Sequence, residues 1–314
     1  MENRSYWKKK ILEVILTLLV VTLLSFLLMR LSPIDPATAY VTRNTPIVTA
    51  EQIQEARVKL GLDQPLLVQY GQWVFKACQL DFGISLASGR SVTTEIGKAL
   101  PVSLAVVLLS GLIMGLGSIM VGSLHYFLWD HWLGLVLSLV AILGLSIPAF
   151  YLASLFLDVF AVRIGGLNVS GNTGIMRYFP AALCLSVSGI AFYSQMIAGN
   201  LKKEMNEDYA FYARCRGLKE GRILFFHALP HGIMRLLPSF MQTLGLCLAG
   251  AVIVERVFSL PGLGYLLIDS VMKWDSPVIH VVVLILALAL IISNIFADMI
   301  KKGLKEDFSK VEVL

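Results

Sequence analysis

The stretch ALPVSLAVVLLSGLIMGLGSIMVG, Ala99 to Gly122, contains no acidic, basic or histidine side chain. A run of this kind and length meets the roughly 20 apolar residues that a helix needs to cross a hydrocarbon core about 30 Å thick. Five further runs resemble it: Ile11–Met29, interrupted only by Glu13, then Trp132–Leu157, Tyr178–Leu201, Leu236–Val254 and Ser276–Ala297. In lipid no water is available to unpaired backbone groups, so spans of this length are expected to be helical. The expected fold class is all-α, a polytopic membrane protein with six transmembrane helices.

The composition agrees. Of 314 residues 57% are apolar and 15% charged, against roughly 45–50% and 25% in soluble domains. A soluble enzyme, a disordered tail and a disulfide scaffold have no use for repeated spans, and the lipid bilayer is the expected partner of this surface; nothing points to nucleic acid. The net charge of +5 resides in loops. With the N-terminus inside, segments 1–10, 123–131, 202–235 and 298–314 carry 15 basic residues, whereas the short opposite loops 158–177 and 255–275 carry four. Basic residues resist translocation, so both termini are expected in the cytoplasm. Lys8-Lys9-Lys10 before an apolar run and Ala37-Thr38-Ala39 after it offer a signal-peptide reading. The run is too long for that, and Arg30, Pro33, Asp35 and Pro36 crowd the cleavage site, so it reads as an uncleaved helix. On this map Cys78 is outside, Cys184 and Cys247 lie within spans, and Cys215 is inside, which implies no disulfide framework.

The chain divides into a tail and first helix (1–30), an extracellular segment (31–98), a five-helix core (99–299) containing the loop 202–235, and a cytoplasmic tail (300–314). Segment 31–98 has the marks of folded structure. Thr49 and Gln52 have capping-box spacing, a helix over Glu51–Leu60 can close at Gly61, and Pro65 can open another carrying Leu66, Tyr70, Trp73 and Val74. Those apolar residues would pack on the membrane domain or meet an outside partner.

Within the spans Gly111, Gly115, Ser118 and Gly122 recur at a spacing that lets helices approach closely. Pro148, after Ser146, should kink the third span. Ser146, Gln195, Gln242 and Asn294 are neutral polar residues that should face protein or a pathway, serving either interhelical hydrogen bonds or a passage. Glu13, Asp158, Glu255, Asp298 and His280 lie near span ends, within reach of water or headgroups, which disfavours an ion-coupled carrier. No His, Cys or Met cluster has metal-ligand spacing in the spans, and no catalytic residue stands out. The nearest approach to a phosphate-binding loop, Gly83 to Gly89-Arg90-Ser91, has one residue too many between the glycines, Arg in place of Lys, and the wrong side of the membrane. ATP-driven transport would therefore require a partner subunit that touches the cytoplasmic face.

Loop 202–235 is the expected place for that contact. Glu207-Asp208-Tyr209-Ala210-Phe211-Tyr212-Ala213-Arg214 reads as a short helix with acids first and a base last. Gly217 breaks it, Leu218-Lys219-Glu220 follows, and Ile223–Ala228 forms another helical stretch before Leu229-Pro230. A merely solvated basic loop is the alternative.

Ala213, Gly217 and Leu229-Pro230 after His227 resemble the coupling signature of binding-protein-dependent ABC importer permeases: Glu-Ala-Ala, three residues, Gly, nine residues, Ile, one residue, Leu-Pro. Phe211, Tyr212 and His227 depart from it. The dipeptide, oligopeptide and nickel branch is similar elsewhere, at Asp35-Pro36, Leu60-Gly61-Leu62-Asp63-Gln64-Pro65, Val68-Gln69-Tyr70, Leu80-Asp81-Phe82-Gly83 and Phe258-Ser259-Leu260-Pro261-Gly262-Leu263-Gly264. Leu80–Ser85 followed by Ala87-Ser88, with Trp73 upstream, looks most like the nickel subgroup. The resemblance implies a type I ABC importer permease fold, a second homologous permease, two ATP-binding subunits that hold the nucleotide, and an extracellular solute-binding protein. It implies no cofactor on this chain. Ala213, Arg214, Arg216, Gly217, Leu218, Lys219, Leu229 and Pro230 would couple to the ATPase, with Ser146, Pro148, Gln195, Gln242 and Asn294 as pathway or gate candidates. The cargo would be nickel or a nickel chelate, or else a dipeptide or oligopeptide. Outside the family an ion-coupled carrier, or a receptor-like or assembly membrane protein, is the rival reading.

Overall fold

A computed structural model describes residues 2–31, 35–44, 48–163 and 174–311; the readings made at Pro33 and across 164–173 lie outside them. The chain order is α1 (Glu2–Arg30), α2 (Pro36–Asn44), α3 (Ala50–Lys59), α4 (Leu66–Cys78), α5 (Val92–Phe127), α6 (Trp132–Ser146) and α7 (Ala149–Leu157). It continues with α8 (Phe179–Glu204), α9 (Asp208–Cys215), α10 (Glu220–Ile223), α11 (Leu229–Met234), α12 (Leu237–Val257), α13 (Leu263–Met272) and α14 (Ser276–Val311). Among the described residues the β pairing amounts to an isolated bridge between Ile84 and Ser91. The fold is all-α.

Helices α1, α5, α8, α12 and α14 are each long and apolar enough to cross a bilayer, and α6 with α7 makes a sixth span if the pair is counted as one. That pair corrects the expected kink. α6 and α7 are bent by 94° at the break between them, with Ile147 extended and Pro148 standing ahead of α7. Proline lacks an N–H for the carbonyl four residues back and drives the preceding residue out of the helical region, so the helix stops and restarts. The helices also outrun their apolar segments: α1 starts at Glu2, α5 at Val92, and α14 continues past Ala297 to Val311. Once nucleated, a helix extends at little cost through good formers such as Lys301 and Lys302.

The chain forms two compact units, one of residues 1–103 and 261–291, the other of residues 104–260 and 292–314. In the first, the Thr49 hydroxyl accepts from the Gln52 N–H and the Gln52 side chain accepts from the Thr49 N–H, which is the capping box that starts α3. Gly61, at φ +67, ends it, with its N–H on Val58 O and that of Leu62 on Arg57 O. α4 begins after Pro65 and lies against α1: the Tyr70 and Trp73 rings each sit 5.4 Å from Phe26, and the Tyr70 hydroxyl hydrogen-bonds Thr22 Oγ1 at 2.9 Å. His280 stacks on Phe26 at 4.0 Å and its Nδ1 bonds the Ser25 hydroxyl at 2.7 Å. It is therefore buried rather than within reach of water, because aromatic rings from α1 and α4 close over it. Val92, Ile96 and Ala99 of α5 form a core with Leu263, Val278, Val281 and Val282. Asp275, 2% exposed, pins the loop before α5: its carboxylate accepts from the Ser85 hydroxyl and from the N–H groups of Leu86 at 2.9 Å and Ala87 at 3.2 Å.

In the second unit small residues set the helix spacing. A Cβ at Gly122 would stand 2.8 Å from Ile197 Cβ and 2.9 Å from the Ser194 carbonyl oxygen on α8. Gly111 and Gly115 face Leu244 and Phe240 of α12, and Ser118 is buried. Polar groups join α8 to α12, the Tyr193 hydroxyl bonding Thr243 Oγ1 at 2.6 Å and Ser239 Oγ at 3.2 Å. Glu255 is 0% exposed, against the expectation that water reaches it. The chain reverses at Ser259 (φ +52), and the returning Leu260 N–H donates to Glu255 O at the end of α12.

Two measurements check these packings. Gly122→Ala should lower the thermal midpoint of the detergent-solubilised protein, since overpacking costs about 1–3 kcal/mol. Gly97→Ala, with nothing within 4 Å of its Cβ, should leave it equal or higher. Equal midpoints would remove the close approach at Gly122. Asp275→Ala should speed proteolysis within 85–90, because two amide donors lose their acceptor at about 1–3 kcal/mol; unchanged cleavage would mean that the carboxylate does not hold the loop.

Candidate functional site

The loop between α8 and α12 folds as an elbow. After α8 ends at Glu204, Met205 is buried and Glu207 leads into α9, which has Asp208 in its first turn and Arg214 in its last, as the helix dipole favours. Gly217 adopts φ +79, its N–H bonds Arg214 O at 2.8 Å, and the Leu218 N–H reaches back to Ala213 O at 3.2 Å. This is the reversal that a left-handed residue makes past a helix end. α10 follows, then one turn of π-helix over Leu224–Ala228, then α11.

The inner face of the elbow is apolar. Ala210, Ile223, Leu224, Ala228 and Leu229 are buried in one cluster with Leu201, Met205, Ile197, Tyr193 and Met114, so the elbow is seated on the helix bundle of its own unit. The outer face carries Phe211 and Tyr212, 60% and 64% exposed, together with exposed Arg216, Gly217, Lys219 and Pro230. The eight expected coupling residues thus separate. Arg216, Gly217, Lys219 and Pro230 can meet a partner, whereas Ala213, Arg214 and Leu218 are half-buried and Leu229 is buried. Arg214 is used internally, its Nη2 donating to Met205 O at 2.9 Å and its Nε lying 3.5 Å from Glu220 Oε1.

A polar cluster not anticipated from the sequence lies where the elbow meets the bundle. Glu204, 3% exposed, receives the Tyr209 hydroxyl on Oε2 at 3.0 Å and pairs through Oε1 with Arg235 Nη2 at 2.9 Å. Burial, then the hydrogen bond to Glu204 and the charges of Glu204 and Glu207, push the Tyr209 phenol well above its ordinary value. It stays a donor at physiological pH. The Tyr209 ring also lies 5.9 Å from that of His231, and the Asn200 side chain donates to Gly232 O at 3.2 Å. A sequence signal existed: an acid shortly after an apolar span, following Lys202 and Lys203, with an Arg closing the same loop.

Beside this cluster Arg235, Pro238, Ser239, Gln242, Lys301 and Leu304 line an open cleft of about 480 Å³. Gln242 therefore faces open space. Gln195 is half-buried on α8. Ser146 and Asn294 are exposed on this chain. The Ser146 hydroxyl donates to Ile142 O at 2.8 Å, so it is satisfied within its own helix and needs no interior partner. Pro148, also exposed, sits at the sharp turn between α6 and α7. Among the described residues no group of three or more His, Cys, Asp and Glu is placed to hold a metal ion.

Comparison with known proteins agrees with this architecture. Residues 108–310 match the family described as binding-protein-dependent transport system inner membrane component, and residues 5–107 match the N-terminal region of such membrane components. A putative peptide transport permease of Brucella suis is 32% identical over 301 residues, covering 93% of this chain and 95% of the relative. A glutathione transport permease of Shigella boydii is 32% identical over 299 residues, covering 94% and 96%. A metal-staphylopine import permease of Staphylococcus aureus is 30% identical over 283 residues, covering 90% and 91%. With both regions matched and relatives aligned along nearly their whole length, the chain belongs to the binding-protein-dependent ABC importer permeases, in the dipeptide, oligopeptide and nickel group.

Proposed function

We propose that this chain forms half of the translocation pathway of an importer that carries nickel as a complex with a small organic chelator. A second homologous permease supplies the other half, two ATP-binding subunits dock at the elbow, and an extracellular solute-binding protein delivers the cargo to the opposite face. ATP is bound and hydrolysed by the partner subunits. Both termini are cytoplasmic in the membrane of a bacterial or archaeal cell, a reading supported by the basic residues of 202–235 and 298–314.

The observation that carries the cargo reading is the lining of the cleft. Gln242 and Ser239 are neutral, and Arg235 and Lys301 are cations. A bare divalent ion gives up its water for carboxylate, imidazole or thiolate ligands, none of which lines this cleft, and the Lys301 ammonium would repel it, the charge of Arg235 being already shared with Glu204. The same groups suit the carboxylates of a chelate. They also suit a peptide, so a dipeptide or oligopeptide cargo is the second reading, supported by the Brucella and Shigella relatives. Family membership sets the ion-coupled carrier aside.

Uptake of radiolabelled nickel, in cells lacking this chain and complemented with it, should require both a chelator and the solute-binding protein. Full-rate uptake without a chelator would overturn the chelate reading, and competition by dipeptides rather than metal complexes would move the cargo to peptides. The elbow has its own test. No atom lies within 4 Å of a Cβ at Gly217, so a side chain there meets only the backbone penalty of φ +79, about 1–2 kcal/mol for an ordinary residue. Gly217→Val should abolish ATP-driven uptake while membrane insertion persists, and Gly217→Asn, which tolerates this conformation, should retain more. Normal uptake by the valine variant would count against coupling through the elbow.

A further inference from the structure

Three segments converge on one buried carboxylate. Glu204 is the last residue of α8, Tyr209 lies in the first turn of α9, and Arg235 sits between α11 and α12. The Glu204 carboxylate accepts the Tyr209 hydroxyl at 3.0 Å and pairs with Arg235 at 2.9 Å, and its side chain is 4% exposed whereas that of Arg235 is 48% exposed. A carboxylate withdrawn from water is costly unless it is paired: Oε2 accepts the Tyr209 hydroxyl, while Oε1, which accepts no hydrogen bond among the described residues, is held by the charge of Arg235, so losing Arg235 leaves a buried charge uncompensated and losing the Tyr209 hydroxyl leaves Oε2 unsatisfied. For stability alone, apolar side chains of the same volume would serve as well or better. What the charged arrangement adds is direction: one partner belongs to the elbow, the other to the base of α12.

Apart from this cluster, the elbow is tied to the bundle by the apolar seat of Ala210, Ile223, Leu224, Ala228 and Leu229, which is non-directional, and along the chain by Met205, Asn206 and Glu207 on one side and the succession of short helices across 218–236 on the other. The Tyr209, Glu204 and Arg235 path bypasses that succession. Arg235 lines the cleft together with Ser239 and Gln242, so a displacement carried to Arg235 reaches the cleft wall directly.

We propose that Glu204 is a positioning residue that gears the elbow to α12, so that a movement imposed on α9 shifts the Arg235 side of the cleft instead of being lost in the loop. This rests on the elbow being the point where the ATPase acts. Tyr209 supplies the link to α9 and Arg235 the link to the cleft.

The test uses the complete transporter, reconstituted with its ATP-binding subunits and binding protein, and the variants Tyr209→Phe and Glu204→Gln. Three quantities are read: co-purification of the ATP-binding subunits, basal ATP hydrolysis, and cargo imported per ATP. Assembly and hydrolysis should stay within about twofold of the parent while cargo per ATP falls about tenfold, in the range of coupling between linked sites. The double variant should be no worse than Glu204→Gln alone, because both changes break one path. Cargo per ATP that stays at the parent value in Tyr209→Phe would overturn the proposal. So would uptake and hydrolysis falling in proportion, which is the signature of a part needed only for assembly. Should Glu204→Gln accumulate poorly, Tyr209→Phe decides, since it removes one hydroxyl and keeps the ring. Gly217→Val separates the two readings. Normal uptake there defeats the elbow as coupling element, whereas uncoupling there with normal Tyr209→Phe defeats only the gearing role.

Discussion

Each backbone N–H and C=O that this chain carries into hydrocarbon must find its partner inside the chain, because lipid offers none. That demand makes every candidate span helical and moves all conformational interest to helix ends, where four donors or four acceptors are left without intrahelical partners. The break at Ile147 and Pro148 is the sharpest case. The helix gives up its regular bonds there, α7 restarts at once, and the Ser146 hydroxyl spends its own donor on Ile142 O rather than across a helix interface.

Helix ends are handled in one recurring way. α3, α4, α9, α12 and α13 each finish with a residue of positive φ, whose successor donates back to a carbonyl of the last turn: Gly61, Leu80, Gly217, Ser259 and Trp274. Glycine takes this conformation freely, whereas Leu, Ser and Trp hold it at a cost of about 1–2 kcal/mol each. Two of the costly ones, Trp274 and Ser259, stand where the returning chain is fixed by something further. Asp275, next after Trp274, clasps the loop at Ser85, Leu86 and Ala87, and Leu260, next after Ser259, is buried.

Charges taken out of water follow the same economy of pairing. Asp275 satisfies two amides and a hydroxyl, and Glu204 joins a phenol and a guanidinium. Neither arrangement resembles the mid-membrane relay of an ion-driven carrier. One organises a loop that borders α5, the other the junction of the elbow with its bundle.

Hydropathy is a local property, and so the helical class, the spans, the capping box at Thr49, the helix openings after Pro65 and the bend at Gly217 were legible in the residues themselves. So were the family motifs, which are short and contiguous. Exposure is not local. The same polarity that suggested an interior place for Ser146, Gln195, Gln242 and Asn294 could not distinguish a hydroxyl satisfied by its own helix from an amide lining a cleft. Glu255 and His280 looked accessible from their nearness to span ends, yet both are buried, His280 against the rings of Phe26 and Trp73. The convergence of Glu204, Tyr209 and Arg235 spans 31 positions of sequence and was decided only when α8, α9 and α12 packed. Sequence determines which backbone can lie in lipid; packing between distant segments determines which polar groups lose water, and a buried charge becomes a mechanical link only after that loss.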